Sequence, residues 1–217
     1  MRDDLIEAEK LKQQLSLNLL QQQVNPHFLY NTLDNICALA ELDEKETLIQ
    51  LVMNLSSFYR SSLSNGKMHI SIGQELEISR AYLEILQIRY FHKFDFTITC
   101  PEALKNYSCI KLLLQPILEN SIYHGIKGLD RHGILHIEAE DAGDCIRFTI
   151  SDNGRGFSKE DSKKIWQQDA DHFGIKSIQQ RILLYYGPGY GLSMESPQTG
   201  GCITVITLPK QEGLPCH

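Results

Sequence analysis

The sequence predicts an α+β protein, an N-terminal helical hairpin followed by an α/β sandwich with its helices on one face of a sheet. Three observations predict it. From Asp3 to about Ala40 there is no glycine, and Leu5, Leu15, Leu19, Leu29 and Leu33 recur at helical spacing. Further on, stretches such as Phe94-Asp95-Phe96-Thr97-Ile98-Thr99 alternate in the period of a half-buried strand. Helical runs lie between the strands, and a sheet whose apolar face is covered by helices makes an α+β sandwich.

Taken in order, the first helix is interrupted at Pro26, which removes a backbone donor, so a kink or a fresh start with Asn25 as N-cap is expected there. A second helical run, residues 45–63, carries Leu48, Leu51, Val52, Leu55, Phe58 and Tyr59 as its apolar stripe. The short loop between them implies an antiparallel hairpin. Such a hairpin buries little by itself, so pairing with a second copy into a four-helix bundle is expected, and with it a homodimer. The turn-rich residues 64–67 set the domain boundary, giving domains 1–66 and 67–217.

In the second domain a helix over residues 73–91 leads into the strand at residues 94–99, which Pro101 helps to close. Residues 109–124 are apolar at helical spacing and predict a helix. Residues 134–139 and 145–151 form a strand hairpin around Ala142-Gly143-Asp144. A helix at residues 175–186 and strands at residues 192–196 and 203–208 complete the chain.

Composition narrows the function classes. With 217 residues, 42% hydrophobic and 22% charged, the chain is long enough to bury a core. Its net charge of −6, with no basic cluster, argues against a nucleic-acid-coating surface. The 6 cysteines form no C-x-x-C pair, so neither a zinc site nor a disulfide framework is expected. No window approaches the roughly 18 to 20 apolar residues that span a bilayer.

Four segments carry candidate chemistry. In QPILENSIYHG (residues 115–125), Glu119, Asn120, Tyr123 and His124 fall on one edge of an apolar helix. The carboxamide of Asn120 suits magnesium, which keeps water and phosphate oxygens as further ligands; a solvated helix residue or C-terminal cap is the alternative. Glu119 is a candidate catalytic carboxylate and His124 a candidate nucleotide contact. In SDNGRGF (residues 151–157), Gly154 and Gly156 allow close backbone approach, and Asp152 is an acceptor for the exocyclic amine of adenine, although Asp-Asn-Gly is also an ordinary turn. Gly174 and Ile175 precede a helix whose free N–H groups suit phosphate, or simply cap it. Gly200-Gly201-Cys202 opens the last strand and reads equally as a hairpin turn.

In this order, over residues 112–209, the segments resemble the GHKL family of ATPases and kinases. That resemblance implies a mixed sheet under a helix layer, with ATP between a helix and a lid over residues 157–173. It implies Asn120 as the Mg2+ ligand, Asp152 as the adenine anchor, Gly154 and Gly156 as close-approach glycines, and Gly174 with Ile175 at the phosphates. Two departures bear on the phosphate loop: His172 stands where a glycine is usual, and Cys202 where a threonine is.

The segment QVNPHFLYNTLDNI (residues 23–36) resembles the phosphoacceptor motif of LytS/YesM-type sensor histidine kinases, and residues 75–90 resemble that subfamily's linker helix. The resemblance implies ATP-dependent autophosphorylation on His27, phosphotransfer to an aspartate of a response regulator, and a cytoplasmic portion of a protein with membrane-spanning segments upstream. Residues 1–66 then form the dimerisation and phosphotransfer domain and residues 67–217 the ATP-binding domain. At about 100° per residue, Leu15, Leu19, Leu29, Leu33 and Ile36 share one side of the helix while His27, Asn31 and Asp34 face another, so His27 is expected in solvent. Asn31 either orients the ring, positions a water for dephosphorylation, or is simply an exposed asparagine. The alternatives are a dimeric ATP-binding module without phosphotransfer, or a GHKL ATPase or serine kinase with Glu119 as base toward water.

Overall fold

The structure, a computed structural model, describes residues 26–63, 68–158 and 173–212. The expectations for Leu5, Leu15, Leu19 and the Asn25 cap, for the boundary at residues 64–67, and for lid residues 159–172 with His172 lie outside the described residues. The chain divides into two compact units, one ending at Val52 and the other starting at Met53.

The first unit holds helix α1 (Pro26–Glu41) and the beginning of helix α2 (Lys45–Leu63). The connection is tight: Leu42 N–H donates to the Ala38 carbonyl at 3.0 Å, Glu44 N–H to Leu39 at 3.0 Å, and Asp43 takes a left-handed φ of 59°. A left-handed residue just past a helix lets the chain reverse. Phe28, Thr32 and Leu51 are buried, and the Thr32 hydroxyl is satisfied by the Phe28 carbonyl at 2.7 Å. The expected leucine stripe is divided, because Leu33 lies about 100° round from Thr32 and stays 44% exposed.

In the second unit α2 continues to Leu63, burying Asn54, Phe58 and Ser62 at four-residue spacing. Strand β1 (His69–Ser71) leads directly into helix α3 (Ile72–Arg89), which starts on a capping box. Ser71 Oγ accepts from Gln74 N–H at 3.1 Å and Gln74 Oε1 accepts from Ser71 N–H at 3.0 Å, satisfying two donors that a helix start leaves open. Strand β2 (Phe94–Thr99), strand β3 (Ser108–Ile110), helix α4 (Gln115–Asn120), strand β4 (Gly133–Asp141), strand β5 (Cys145–Asp152), helix α5 (Phe173–Tyr186), strand β6 (Gly191–Glu195) and strand β7 (Cys202–Pro209) follow. β1 and β3 pair antiparallel as a small separate ribbon.

The main sheet has the order β2-β4-β5-β7-β6, parallel between β2 and β4 and antiparallel elsewhere. It is the mixed sheet expected. Alternation sorts its faces: Leu135, Ile137, Ile146, Phe148, Ile150, Ile206 and Leu208 are buried, whereas His136, Glu138 and Arg147 point to solvent. Helix α3 packs on β2 and α4, and α5 on α4 and β6. Each fully buried Ile, Leu or Phe contributes about 1.5–3 kcal/mol, so this interface is the main source of the unit's stability.

The helix expected over residues 109–124 is corrected. Cys109 and Ile110 lie in β3, Leu112 has a φ of 56°, and the helix begins at Gln115. The cause is a carboxylate far away in sequence. The fully buried Glu75 of α3 accepts from Leu112 N–H at 2.8 Å and from Leu114 N–H at 2.9 Å, while the guanidinium of Arg181 on α5 donates to the carbonyls of Lys111 and Leu112. Backbone groups committed to these side chains cannot join a helical ladder. Pro116 then suits the helix start, where its missing N–H costs nothing.

Candidate functional site

α4 ends at Asn120 and continues as a π-helical turn, Ser121–Ile126, a widening often found at functional sites. This places Asn120, Ser121, His124 and Gly125 along one wall of a polar cleft of about 710 Å³. Adjoining that wall are Asp152, at the end of β5, and Cys202, paired with it at the start of β7.

Two walls come this close because they meet at glycines. A Cβ on Gly154 would lie 2.7 Å from Gly125 Cα and 2.6 Å from Asp152 Oδ1, so neither neighbour would tolerate a side chain there. Gly156 has a φ of 69° and a Cβ on it would lie 2.8 Å from the Gly201 carbonyl oxygen. Backbone bonds hold the junction: Arg155 N–H donates to the Gly125 carbonyl at 3.2 Å and Gly201 N–H to the Gly154 carbonyl at 2.9 Å. Asn153 is a brace, accepting from Ile134 N–H at 2.8 Å and donating to the His132 carbonyl at 3.1 Å.

Asp152 is the distinctive group. Its Oδ1 accepts from Gly154 N–H at 2.8 Å, while its Oδ2 is buried, with the Ser121 hydroxyl and the Cys202 backbone near the carboxylate but neither in hydrogen-bond geometry with that oxygen. Burial pushes its carboxyl pKa up, against the downward pull of the Ser121 hydroxyl and the Gly154 and Cys202 backbone. A buried acceptor without a donor is costly unless a ligand supplies one, and an exocyclic amine is such a donor. Beside it, burial pushes the Cys202 thiol up to about 11, so at neutral pH this departure from threonine leaves a neutral wall.

Asn120 and His124 also border a smaller cleft of about 170 Å³ with Glu119, Tyr123, Gly174 and Ile175. Glu119 Oε1 accepts from Gln115 Nε2 at 3.0 Å. The structure therefore brings Asn120, His124, Asp152 and Gly156 to the large cleft and Glu119, Gly174 and Ile175 to the small one, with Gly154 packed behind Asp152. His27 and Asn31 belong to the first unit: His27 is exposed as expected, and Asn31 Nδ2 donates to the His27 carbonyl at 2.5 Å, not to its ring. Sequence reasoning missed Ser196, whose hydroxyl accepts from Phe157 N–H at 3.1 Å and donates to the Gly201 carbonyl at 2.9 Å. A serine closing a short strand carries no signal of that role.

Among the described residues no three His, Cys, Asp or Glu side chains gather as a metal site, so a cation in this cleft would rest on Asn120 with phosphate oxygens and water.

A mixed sheet with a helix layer and a glycine-walled cleft that holds a carboxylate at the end of its central strand is the catalytic fold of the GHKL ATPases and kinases, an ATP-binding class. Residues 15–94 match the family described as histidine kinase, and residues 107–212 the family described as histidine kinase-, DNA gyrase B-, and HSP90-like ATPase. Sensor histidine kinase YesM of Bacillus subtilis is 32% identical over 96% of this chain and 36% of its own length. BtsS of Escherichia coli is 32% identical over 83% of the chain and 31% of its length, and LytS of Staphylococcus haemolyticus 28% over 90% and 34%. The chain thus spans about a third of these curated relatives. Among solved structures, the catalytic domain of histidine kinase ThkA superposes with a TM-score of 0.52 at 15% identity, covering 67% of this chain and 97% of that one. ThkA in complex with response regulator TrrA gives 0.54 at 15% identity, covering 96% of this chain and 66% of that one. The chain belongs to the sensor histidine kinases of the LytS/YesM type.

Proposed function

We propose that this chain is the ATP-binding and phosphoacceptor portion of a two-component sensor kinase, in which His27 takes the γ-phosphoryl group of ATP and passes it to an aspartate of a response regulator. The observation that carries the reading is the unpartnered, buried Oδ2 of Asp152 in a polar cleft that also holds Asn120. Adenine lies against Asp152, its amine donating to Oδ2, and the phosphates extend toward Asn120. Magnesium held there by Asn120 supplies charge neutralisation on the phosphates. A ring nitrogen of the exposed His27 forms the new bond to the γ-phosphorus, the bond to the bridging oxygen breaks, and ADP leaves with the electron pair.

Residues 1–66 serve as the dimerisation and phosphotransfer domain and residues 67–217 as the ATP-binding domain. The exposed Leu33, Leu42, Ile49 and Val52 support a homodimer, since apolar groups so placed gain by meeting a second copy. ThkA's assembly with a response regulator supports a partner of that kind. No helix among the described residues is long and apolar enough to cross a membrane, and membrane attachment in this reading comes from segments outside this chain.

The test is incubation with γ-labelled ATP and magnesium beside His27→Gln and Asn120→Asp variants. Acid-labile label on the parent chain and none on either variant is the expected result. ATP binding without label on the parent chain would overturn the phosphotransfer.

A further inference from the structure

Tyr123 lies one turn beyond Asn120, in the π-helical turn, and borders the small cleft beside Asn120, Glu119 and His124. Its ring is held by groups a purely packing residue would not need. Arg89, in the last turn of α3, donates from NH1 to Tyr123 Oη at 3.3 Å, and its guanidinium stands over the Tyr90 ring, 5.3 Å from the centroid. The Tyr90 and Tyr123 rings meet edge to face, 6.3 Å apart at 85°. Lys127 Nζ sits 5.8 Å from one centroid and 5.9 Å from the other.

Charge and donor direction point the same way. The ion pairs among the described residues include neither Arg89 nor Lys127, so two cations gather here without carboxylate partners. The small cleft itself carries a carboxylate, Glu119, which by itself repels anions. A phenol has one proton and accepts through its oxygen lone pairs; with Arg89 donating into that oxygen, and the neighbouring Tyr90 hydroxyl in no hydrogen-bond geometry with it, the phenolic O–H remains to donate elsewhere. A donor at this end of the cleft, backed by two cations, suits an anionic oxygen.

We propose that Tyr123 donates its hydroxyl proton to a terminal phosphate oxygen of the bound nucleoside triphosphate, and that Arg89 is the positioning residue that aims it. This rests on the nucleotide reading above. It makes α3 part of the phosphate-recognition machinery, although α3 itself borders neither cleft.

The test compares binding of ATP, ADP and adenosine, with magnesium present, to the chain and to Tyr123→Phe, Arg89→Gln and Arg89→Lys variants by calorimetry. Loss of a hydrogen bond to a charged group predicts that Tyr123→Phe and Arg89→Gln each weaken ATP by about ten-fold, with adenosine unchanged. Their combination should be no worse than either alone, because both remove one unit, and Arg89→Lys should restore part of the loss. Equal weakening of ATP and adenosine would show that Arg89 and Tyr123 merely support the fold and would overturn the proposal, as would unchanged ATP affinity in Arg89→Gln. If the unaltered chain binds no nucleotide at all, the nucleotide reading falls first and this one with it.

Discussion

The helical hairpin and the sandwich differ in what they leave unfinished. The sandwich closes its apolar face almost completely: Leu135, Phe148, Ile178 and Ile206 all have 0% exposure. The hairpin buries Phe28 and Leu51 but leaves Leu33 at 44% and Leu42 at 69%. What its cleft leaves open is polar, a buried carboxylate oxygen on Asp152. An apolar surface left over calls for protein, and a polar atom left over calls for a small ligand with the matching donor.

The sharpest way to break this contrast is at the sandwich core. Phe148→Ala should destabilise the sandwich by about 3–5 kcal/mol, read as a lower midpoint in denaturant melts, because a cavity there has no water-filled exit. An opposite, smaller effect is expected at the cleft. Asp152→Asn removes a carboxylate whose folded pKa is raised, so the native state binds the proton more tightly than the unfolded chain does and stability falls as pH rises past the ordinary value of 3.8. The variant should therefore melt above the parent chain at neutral pH, converge with it below that value, and lose nucleotide affinity. A neutral-pH melt equal to or below the parent would show that Asp152 is already satisfied. Smallest of all for stability is Leu33→Glu, which should change the sandwich melt by no more than about 0.5 kcal/mol. It should nevertheless shift the chain from dimer to monomer in sedimentation, and a dimer that survives would move the interface elsewhere.

Much of this was legible in the residues because it rests on local periodicity. The alternation of residues 94–99 and the stripe of residues 45–63 gave the bounds of β2 and α2, and the two glycine-bearing segments did meet around Asp152. Residues 109–114 were not legible. An apolar run fits a helix and a buried strand equally, and the deciding groups, Glu75 and Arg181, lie 37 and 69 residues from Leu112. Ser196 was hidden in part for the same reason, since its partner Phe157 lies 39 residues away, although its other partner, Gly201, lies just across a local turn. The division of the α1 stripe was illegible too, because periodicity tells which side chains share a side and not which side is inside.

α3 grips the segment that carries Asn120 at two points, through Glu75 in its first turn and Arg89 in its last. A body attached at one point swivels, whereas one attached at two follows its carrier. Glu75 is fully buried and holds two amides of the segment that leads into α4, while Arg89 holds the Tyr123 hydroxyl in the turn beyond it. In mechanical terms α3 is a clamp with two jaws, one on the backbone that leads into α4 and the other on the turn that follows Asn120.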